Sequence, residues 1–274
     1  MVGNGGAIMI MRVNDAELHV RDSGGAGAPV LLIHGSMAKD FLVPLAQSLI
    51  ATGKLRVVEY ERRGYGRKKY DPVDMAGQAS DASEVLRSLG IDRAHVFGHS
   101  TGGSIAMQLA HQSPDRVATL SLGEPDLPLR HLPSAAEHEA GLEELVLSYS
   151  QESKKEVLAG VLTWLHGPDF LDVTPPGMFD LAADDMEIYV TTEYPAYLRW
   201  TFGPEAVQSL KMPVQVISAE NTVKMSRETV DVLGQWNSRI TKVQIPGATH
   251  FFPLTRAKDT ASAIADFCLR HAQF

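Results

Sequence analysis

The chain has 274 residues, 44% of them hydrophobic, and a formal net charge of -8 with acids and bases interspersed. That is enough apolar material for a sizeable core, and no basic stripe marks a nucleic-acid surface. The single cysteine, Cys268, excludes an internal disulfide framework and fits a reducing compartment. No run of eighteen apolar residues points to a membrane span. The opening MVGNGGAIMIMRVND lacks a basic n-region and a long h-region, so a cytoplasmic protein with no membrane association is expected.

In chain order, AIMIMRV (7–13) and AELHVRD (16–22) read as strands joined by the Asn14-Asp15 turn. PVLLIHG (29–35) is a near-continuous apolar run, as expected of a strand buried on both faces. DFLVPLAQSLIATG reads as a helix closed by Gly53, and LRVVEY (55–60) as a strand leading into the polar turn ERRGYGRKK. Helical spacing runs from about Asp74 to Leu89 and stops at Gly90. AHVFGHS (94–100), RVATLSLG (116–123), PVQVISA (213–219) and RITKVQIP (239–246) are further strands, with helical patterns between most of them. The C-terminal SAIADFCLRHA is an amphipathic helix, which makes Cys268 a buried structural thiol. Alternation of this kind builds a parallel sheet covered on both faces.

The rhythm breaks between Gly123 and Pro213. Pro125, Pro128 and Pro133 open a stretch with no strong strand pattern, carrying helical segments such as SAAEHEAGLEELVLSYS and KKEVLAGVLTWLHG. A helical insertion over residues 125–205 is expected, with 1–124 and 206–274 forming the sheet-bearing core. Its aromatics, among them Trp164, Phe179, Tyr189, Tyr197 and Trp200, are read mainly as the insertion's own core, a minority lining a substrate cavity.

Gly98-His99-Ser100-Thr101-Gly102 falls where a strand gives way to the helix IAMQLAHQ. This is the G-x-S-x-G elbow pattern, in which a serine is thrust out on a strained turn whose neighbours must lack Cβ atoms. A serine hydroxyl needs a base within hydrogen-bond reach. Of the ten histidines, His250 in IPGATHFFPL has the fitting place, a loop after the last strand. A tetrahedral intermediate needs backbone N–H donors. These are expected from Thr101, beside the serine, and from Ser36 after LLIHG, with Met37 as the alternative.

LLIHGS, VVEYERRGYGR, VFGHSTGG and IPGATHFFPL, in this order and spacing, resemble the α/β-hydrolase fold superfamily, of the serine-nucleophile type with a helical cap after the sixth strand. The resemblance covers nearly the whole chain and implies a mostly parallel eight-stranded sheet flanked by helices. It also gives Arg62 and Arg63 a structural role in their turn. Its third catalytic member is ordinarily an aspartate after the seventh strand, but the corresponding VISAENTVK holds Asn221. An Asp→Asn change in such a triad costs roughly 10⁴ in kcat, about 5.4 kcal/mol. A carboxylate elsewhere is therefore expected. Glu124, just after the sixth strand in LSLGEPDLP, matches relatives that carry the acid there, with Pro125 fixing the backbone. Glu220, Asp126 or no working acid are the alternatives.

The expected function is that of a serine hydrolase cleaving an ester, thioester or lactone through an acyl-enzyme, with Ser100, His250 and Glu124 as the triad. A non-hydrolytic ligand-binding protein, or a cyclase or lyase on the same fold, is the rival that Asn221 keeps open. No clustered His, Cys or carboxylate set has ligand spacing, so no metal or organic cofactor is expected. The expected partner is a small-molecule substrate with an apolar part, against walls including Met37, Trp164, Met178 and Tyr197. Nucleic acid is not expected, and the oligomeric state is not legible.

Overall fold

The computed structural model describes residues 7–37, 39–66, 71–150 and 152–271. The N-terminal hexapeptide and the end of the ERRGYGRKK turn lie outside them. Eight strands form one sheet: β1 (Ile8–Val13), β2 (Ala16–Asp22), β3 (Ala28–Ile33), β4 (Leu55–Tyr60), β5 (Ala94–His99), β6 (Val117–Gly123), β7 (Val214–Ala219) and β8 (Thr241–Ile245). Their spatial order is β1-β2-β4-β3-β5-β6-β7-β8. β1 and β2 form an antiparallel hairpin whose Asn14 has a left-handed φ of 53°, and β2 pairs antiparallel with β4. All later pairings are parallel, so β3 to β8 end on one edge of the sheet.

The period of two along each strand divides the core into two layers. Leu31, Ile33, Val58, Val96, Leu120 and Val216 face one side. There they meet α2 (Met75–Ser88), α3 (Thr101–Gln112) and α11 (Lys224–Trp236). Val30, Leu32, Val57, Phe97, Ile217 and Ile245 face the other, against α1 (Val43–Ala51) and α13 (Ala257–Arg270). The helix ends follow local chemistry. Asp74 caps α2 by accepting from the Gly77 amide at 2.8 Å, and Gly90 closes it at a φ of 67°. Cys268, on α13, is buried in the second layer, which pushes its thiol up to about 12.

Between β6 and β7 the chain is helical: α4 (Pro133–Leu147), α5 (Lys154–His166), α6 (Phe170–Val173), α7 (Met178–Asp184), α8 (Met186–Ile188), a π-helical turn (Tyr189–Glu193), α9 (Tyr194–Arg199) and α10 (Pro204–Gln208). Leu142, Val157, Leu158, Ala183, Met186, Tyr189 and Tyr194 pack together with Met37 of the β3–α1 loop. The aromatics divide: Tyr189 and Tyr194 belong to this cluster, while Trp200 and Phe202 join the layer under α3. No helix among the described residues is long and apolar enough to cross a membrane.

Candidate active site

Ser100 joins β5 to α3 with φ 54° and ψ -128°, a conformation costly for any residue with a side chain. The surroundings hold it there. The Ser100 amide donates to the Gly123 carbonyl at the end of β6 at 2.9 Å, and the Gly103 amide donates back to the Ser100 carbonyl at 2.7 Å. A Cβ at Gly98 would lie 2.1 Å from the Gly102 carbonyl oxygen, and one at Gly102 would lie 2.2 Å from that of Ile33. Only glycine fits at either position.

His250 sits between β8 and α12 (Phe252–Thr255), buried, with Nδ1 2.6 Å from Glu124 Oε2. A carboxylate accepts here, so the neutral imidazole carries its proton on Nδ1 and turns Nε2 outward as an acceptor. Glu124 is fully buried and has a left-handed φ of 40°. Its Oε1 accepts from the Ala219 amide at 2.8 Å, and its Oε2 also accepts from the Thr222 hydroxyl at 2.9 Å. The carboxylate is thus fixed from both ends by the turn after β7. His99 supports the histidine from behind, donating from Nε2 to the His250 carbonyl at 3.0 Å. Burial holds His99 well below the usual imidazole range, with the neighbouring His250 adding to the effect, and its ring stacks on Phe41.

The other acids fall elsewhere. Glu220 is exposed and accepts from the Gly247 amide at 2.7 Å, bracing the loop before His250. Asn221 is exposed as well, its backbone amide bonded to the Ala248 carbonyl at 2.8 Å. Asp126 lies on the serine side. Its Oδ2 accepts from the Thr101 hydroxyl at 2.9 Å and stands 3.4 Å from Ser100 Oγ. Burial pushes its carboxyl above the ordinary aspartate value.

The loop after β3 closes the third side. Gly35 comes within van der Waals reach of the elbow, where a Cβ would lie 3.1 Å from the His99 carbonyl. Ser36 donates from Oγ to Thr101 Oγ1 at 2.9 Å. The Met37 amide is already committed, donating to the Tyr65 hydroxyl at 2.9 Å, and Tyr65 donates onward to Glu193 at 2.8 Å. Arg62 forms a buried ion pair with Glu193 and donates to the Gly35 carbonyl at 2.9 Å. Arg63 grips Asp81 through two bonds of 2.8 and 2.9 Å. Both arginines therefore tie the β4 turn to its neighbours, and Arg62 does so to the helical insertion as well.

Ser100, His250, Ser36 and Met37 open on a cavity whose remaining walls, His99 and Thr174 apart, are mainly apolar: Phe41 and Phe251, with Leu158, Leu162, Leu165, Met178 and Phe179 from the helices between β6 and β7. Two residues expected in such walls lie elsewhere. Trp164 faces outward on α5, 39% exposed and stacked on His138 at 3.9 Å, because the inward positions of that helix go to Leu158, Leu162 and Leu165. Tyr197 lines a second cavity, with Asp126 and Tyr189. Asp126, considered from the sequence only as an alternative triad acid, lines this second cavity instead, and the cavity itself had no signal in the sequence.

The strand order, the parallel run from β3 to β8 and the strained serine after β5 are those of the α/β-hydrolase fold. The chain belongs to the alpha/beta hydrolase family, whose family model matches residues 30–263. Among curated proteins, "Putative carbamate hydrolase RutD" of Azorhizobium caulinodans is 37% identical over 111 residues, 39% of this chain and 41% of that protein. A fluoroacetate dehalogenase of a Burkholderia species is 34% identical over 106 residues, 36% of this chain and 34% of that protein. The matches thus span well under half the length of these relatives. Among solved structures, a thermophilic esterase from Thermogutta terrifontis aligns with a TM-score of 0.79 at 19% identity, covering 96% of this chain and 97% of that one. Naproxen esterase from Bacillus subtilis aligns at 0.78 and 18% identity, covering 95% and 90%. At such identities the likeness is one of fold.

Proposed function

We propose that the protein is a serine hydrolase that cleaves a carboxylic ester, thioester or lactone through an acyl-enzyme. The observation that carries this reading is the 2.6 Å contact between His250 Nδ1 and a Glu124 carboxylate that the Ala219 amide and Thr222 hydroxyl hold in place. Such a carboxylate fixes the imidazole tautomer and stabilises the imidazolium, which an amide at position 221 would not.

In this mechanism Ser100 turns about χ1 from Asp126 toward His250 Nε2, which takes its proton as Oγ attacks the carbonyl. The oxyanion is held by the amides of Thr101 and Ser36. Thr101 stands at the first position of α3, where an N–H has no acceptor within the helix. Ser36 is favoured over Met37 because the Met37 amide already serves Tyr65. The imidazolium protonates the leaving group. His250 then draws a proton from water as its oxygen attacks the acyl carbon, and passes that proton to Ser100 Oγ as the acyl bond breaks and the acid leaves. No step calls on a metal or organic cofactor.

The insertion, residues 125–205, acts as a cap, and its leucines and Met178 set the apolar wall that receives one arm of the substrate. The named activities of the relatives differ from one another and select no single substrate for this chain. The rival reading, a non-hydrolytic binding protein, loses its main support because Asn221 is exposed and Glu124 supplies a carboxylate. Intact-mass spectrometry after treatment with a small fluorophosphonate tests the proposal. One adduct, mapped to Ser100 and absent in Ser100→Ala, is expected; folded protein that takes up none would refute it.

A further inference from the structure

Two cavities share Ser36 as a lining residue, one holding Ser100 and the other its neighbour Thr101, and their walls differ in kind. The first is apolar. The second has Ser36, Thr101 and Asp126 on the strand-end side and Tyr189, Tyr194 and Tyr197 on the insertion side. Asp126 stands at the boundary, 3.4 Å from Ser100 Oγ. Its Oδ2 is bonded to Thr101, whereas no donor reaches Oδ1 and no lysine, arginine or histidine pairs with it among the described residues.

The other titratable groups of this wall are accounted for. Glu193 is paired with Arg62, and Glu139 is held by Arg130 at 2.7 Å. Burial, with His250 nearby, lowers His138 to about 4, so it is neutral at pH 7. Tyr189 and Tyr197 are raised by burial first and by the charge of Asp126 next, so both phenols stay protonated and both feel that carboxylate. Among the described residues Asp126 is the carboxylate of this cavity that no cationic side chain pairs by hydrogen bond, His250 acting on it only through space. A cation placed beside it restores the balance, and tyrosine ring faces attract the same cation. A neutral arm leaves the carboxylate uncompensated, and an anionic one is repelled.

We propose that the second cavity is a subsite for a positively charged arm of the substrate, an ammonium or quaternary ammonium group received between Asp126 and the rings of Tyr189 and Tyr197. The rest of the substrate lies in the apolar cavity. The linker between reacting carbonyl and cation is short, because Asp126 stands so close to Ser100 Oγ. The assignment of this arm to a substrate rests on Ser100 being the nucleophile; the cation site itself does not.

Calorimetric titration of Ser100→Ala protein, which cannot turn over, separates the two. The probes are acetylcholine and 3,3-dimethylbutyl acetate, the same shape with carbon in place of the charged nitrogen. The cationic ester is expected to bind on the order of tenfold more tightly. Adding Asp126→Asn is expected to remove that preference. Adding Tyr197→Leu is expected to reduce it severalfold, while Tyr197→Phe, which keeps the ring, retains it. Should the Asp126 variant fail to fold, the Tyr197 pair carries the comparison. Lack of preference for the cation, whether the neutral ester binds as well or neither binds at millimolar concentration, overturns the subsite. Phosphonate labelling of Ser100 is read on the unaltered chain, so a cation site beside an unlabelled serine refutes the hydrolase reading alone. A labelled serine without cation preference refutes the subsite alone.

Discussion

At the ends of β5, β6 and β8, Ser100, Glu124 and His250 are held by backbone amides, carbonyls and glycine contacts that leave no slack, whereas the walls supplied between β6 and β7 are held by side chains packed on one another. The first kind of construction fixes positions to fractions of an ångström. The second can be repacked without moving the strand ends. Chemistry and selectivity should therefore respond separately to mutation, the former steeply and the latter by degrees.

The sharpest test of that separation is Glu124→Gln. It keeps the shape but removes the charge facing His250, and kcat on an aryl ester is expected to fall by about 10⁴. Asn221→Ala, on the neighbouring exposed loop, should change kcat by less than about threefold, and steady-state kinetics on both variants would expose a wrong choice of acid. Next in size is the link between the two regions. Glu193→Gln strands the buried Arg62 guanidinium, and urea unfolding should report a loss of about 3–5 kcal/mol. A loss below about 1 kcal/mol would mean that core and insertion are energetically independent there. Smaller still is Leu162→Ala in the apolar wall. It should raise KM for longer acyl chains severalfold while leaving kcat for acetyl esters nearly unchanged, and a collapse of kcat would erase the distinction drawn above.

A further effect concerns pH and lies far from the site. His95 on β5 is buried, bonded to Thr119 Oγ1 at 2.8 Å, and lowered by burial from 6.5 to about 4. The unfolded chain takes up that proton below 6.5 while the folded chain does not until about 4. Its contribution is present above 6.5 and is lost as pH falls through that window. Replacing His95 with Gln should flatten the dependence of unfolding free energy on pH by about 1.4 kcal/mol per unit there, as chemical denaturation at several pH values would register.

The same contrast explains what the sequence disclosed. Strands such as PVLLIHG are legible because burial on both faces leaves nearly continuous apolar runs, and the elbow is legible because steric exclusion dictates glycine at 98 and 102. Glu124 is a different matter. Its meeting with His250 depends on β6 and β7 being neighbours in the sheet, a long-range fact that only resemblance could supply. The insertion was legible as helix but not as wall. α4 buries little beyond Ala135 and Leu142, so its pattern carries almost no directional information. Whether Trp164 or Leu162 points inward is decided by how α5 lies against the elbow, and the π-helical turn that brings Glu193 to Arg62 has no local signature. Asp126 reads in sequence as one more acid in a proline-rich turn; its meaning comes from the tyrosines across the cavity.

One feature of the sheet side offers a way to watch that region by itself. Cys268 is the only thiol in the chain and lies sealed in the layer of α1 and α13, which Phe170 from the helices between β6 and β7 also joins. A thiol held up to about 12 inside that layer is inert to alkylating reagents until the layer opens. The rate at which a maleimide consumes it under native conditions therefore clocks the opening of the sheet's own core. Excursions of the helices between β6 and β7 that leave this layer closed would pass unseen by that clock, so a mutation among those helices that nonetheless hastens alkylation would reveal how far disturbance there travels into the rest of the chain.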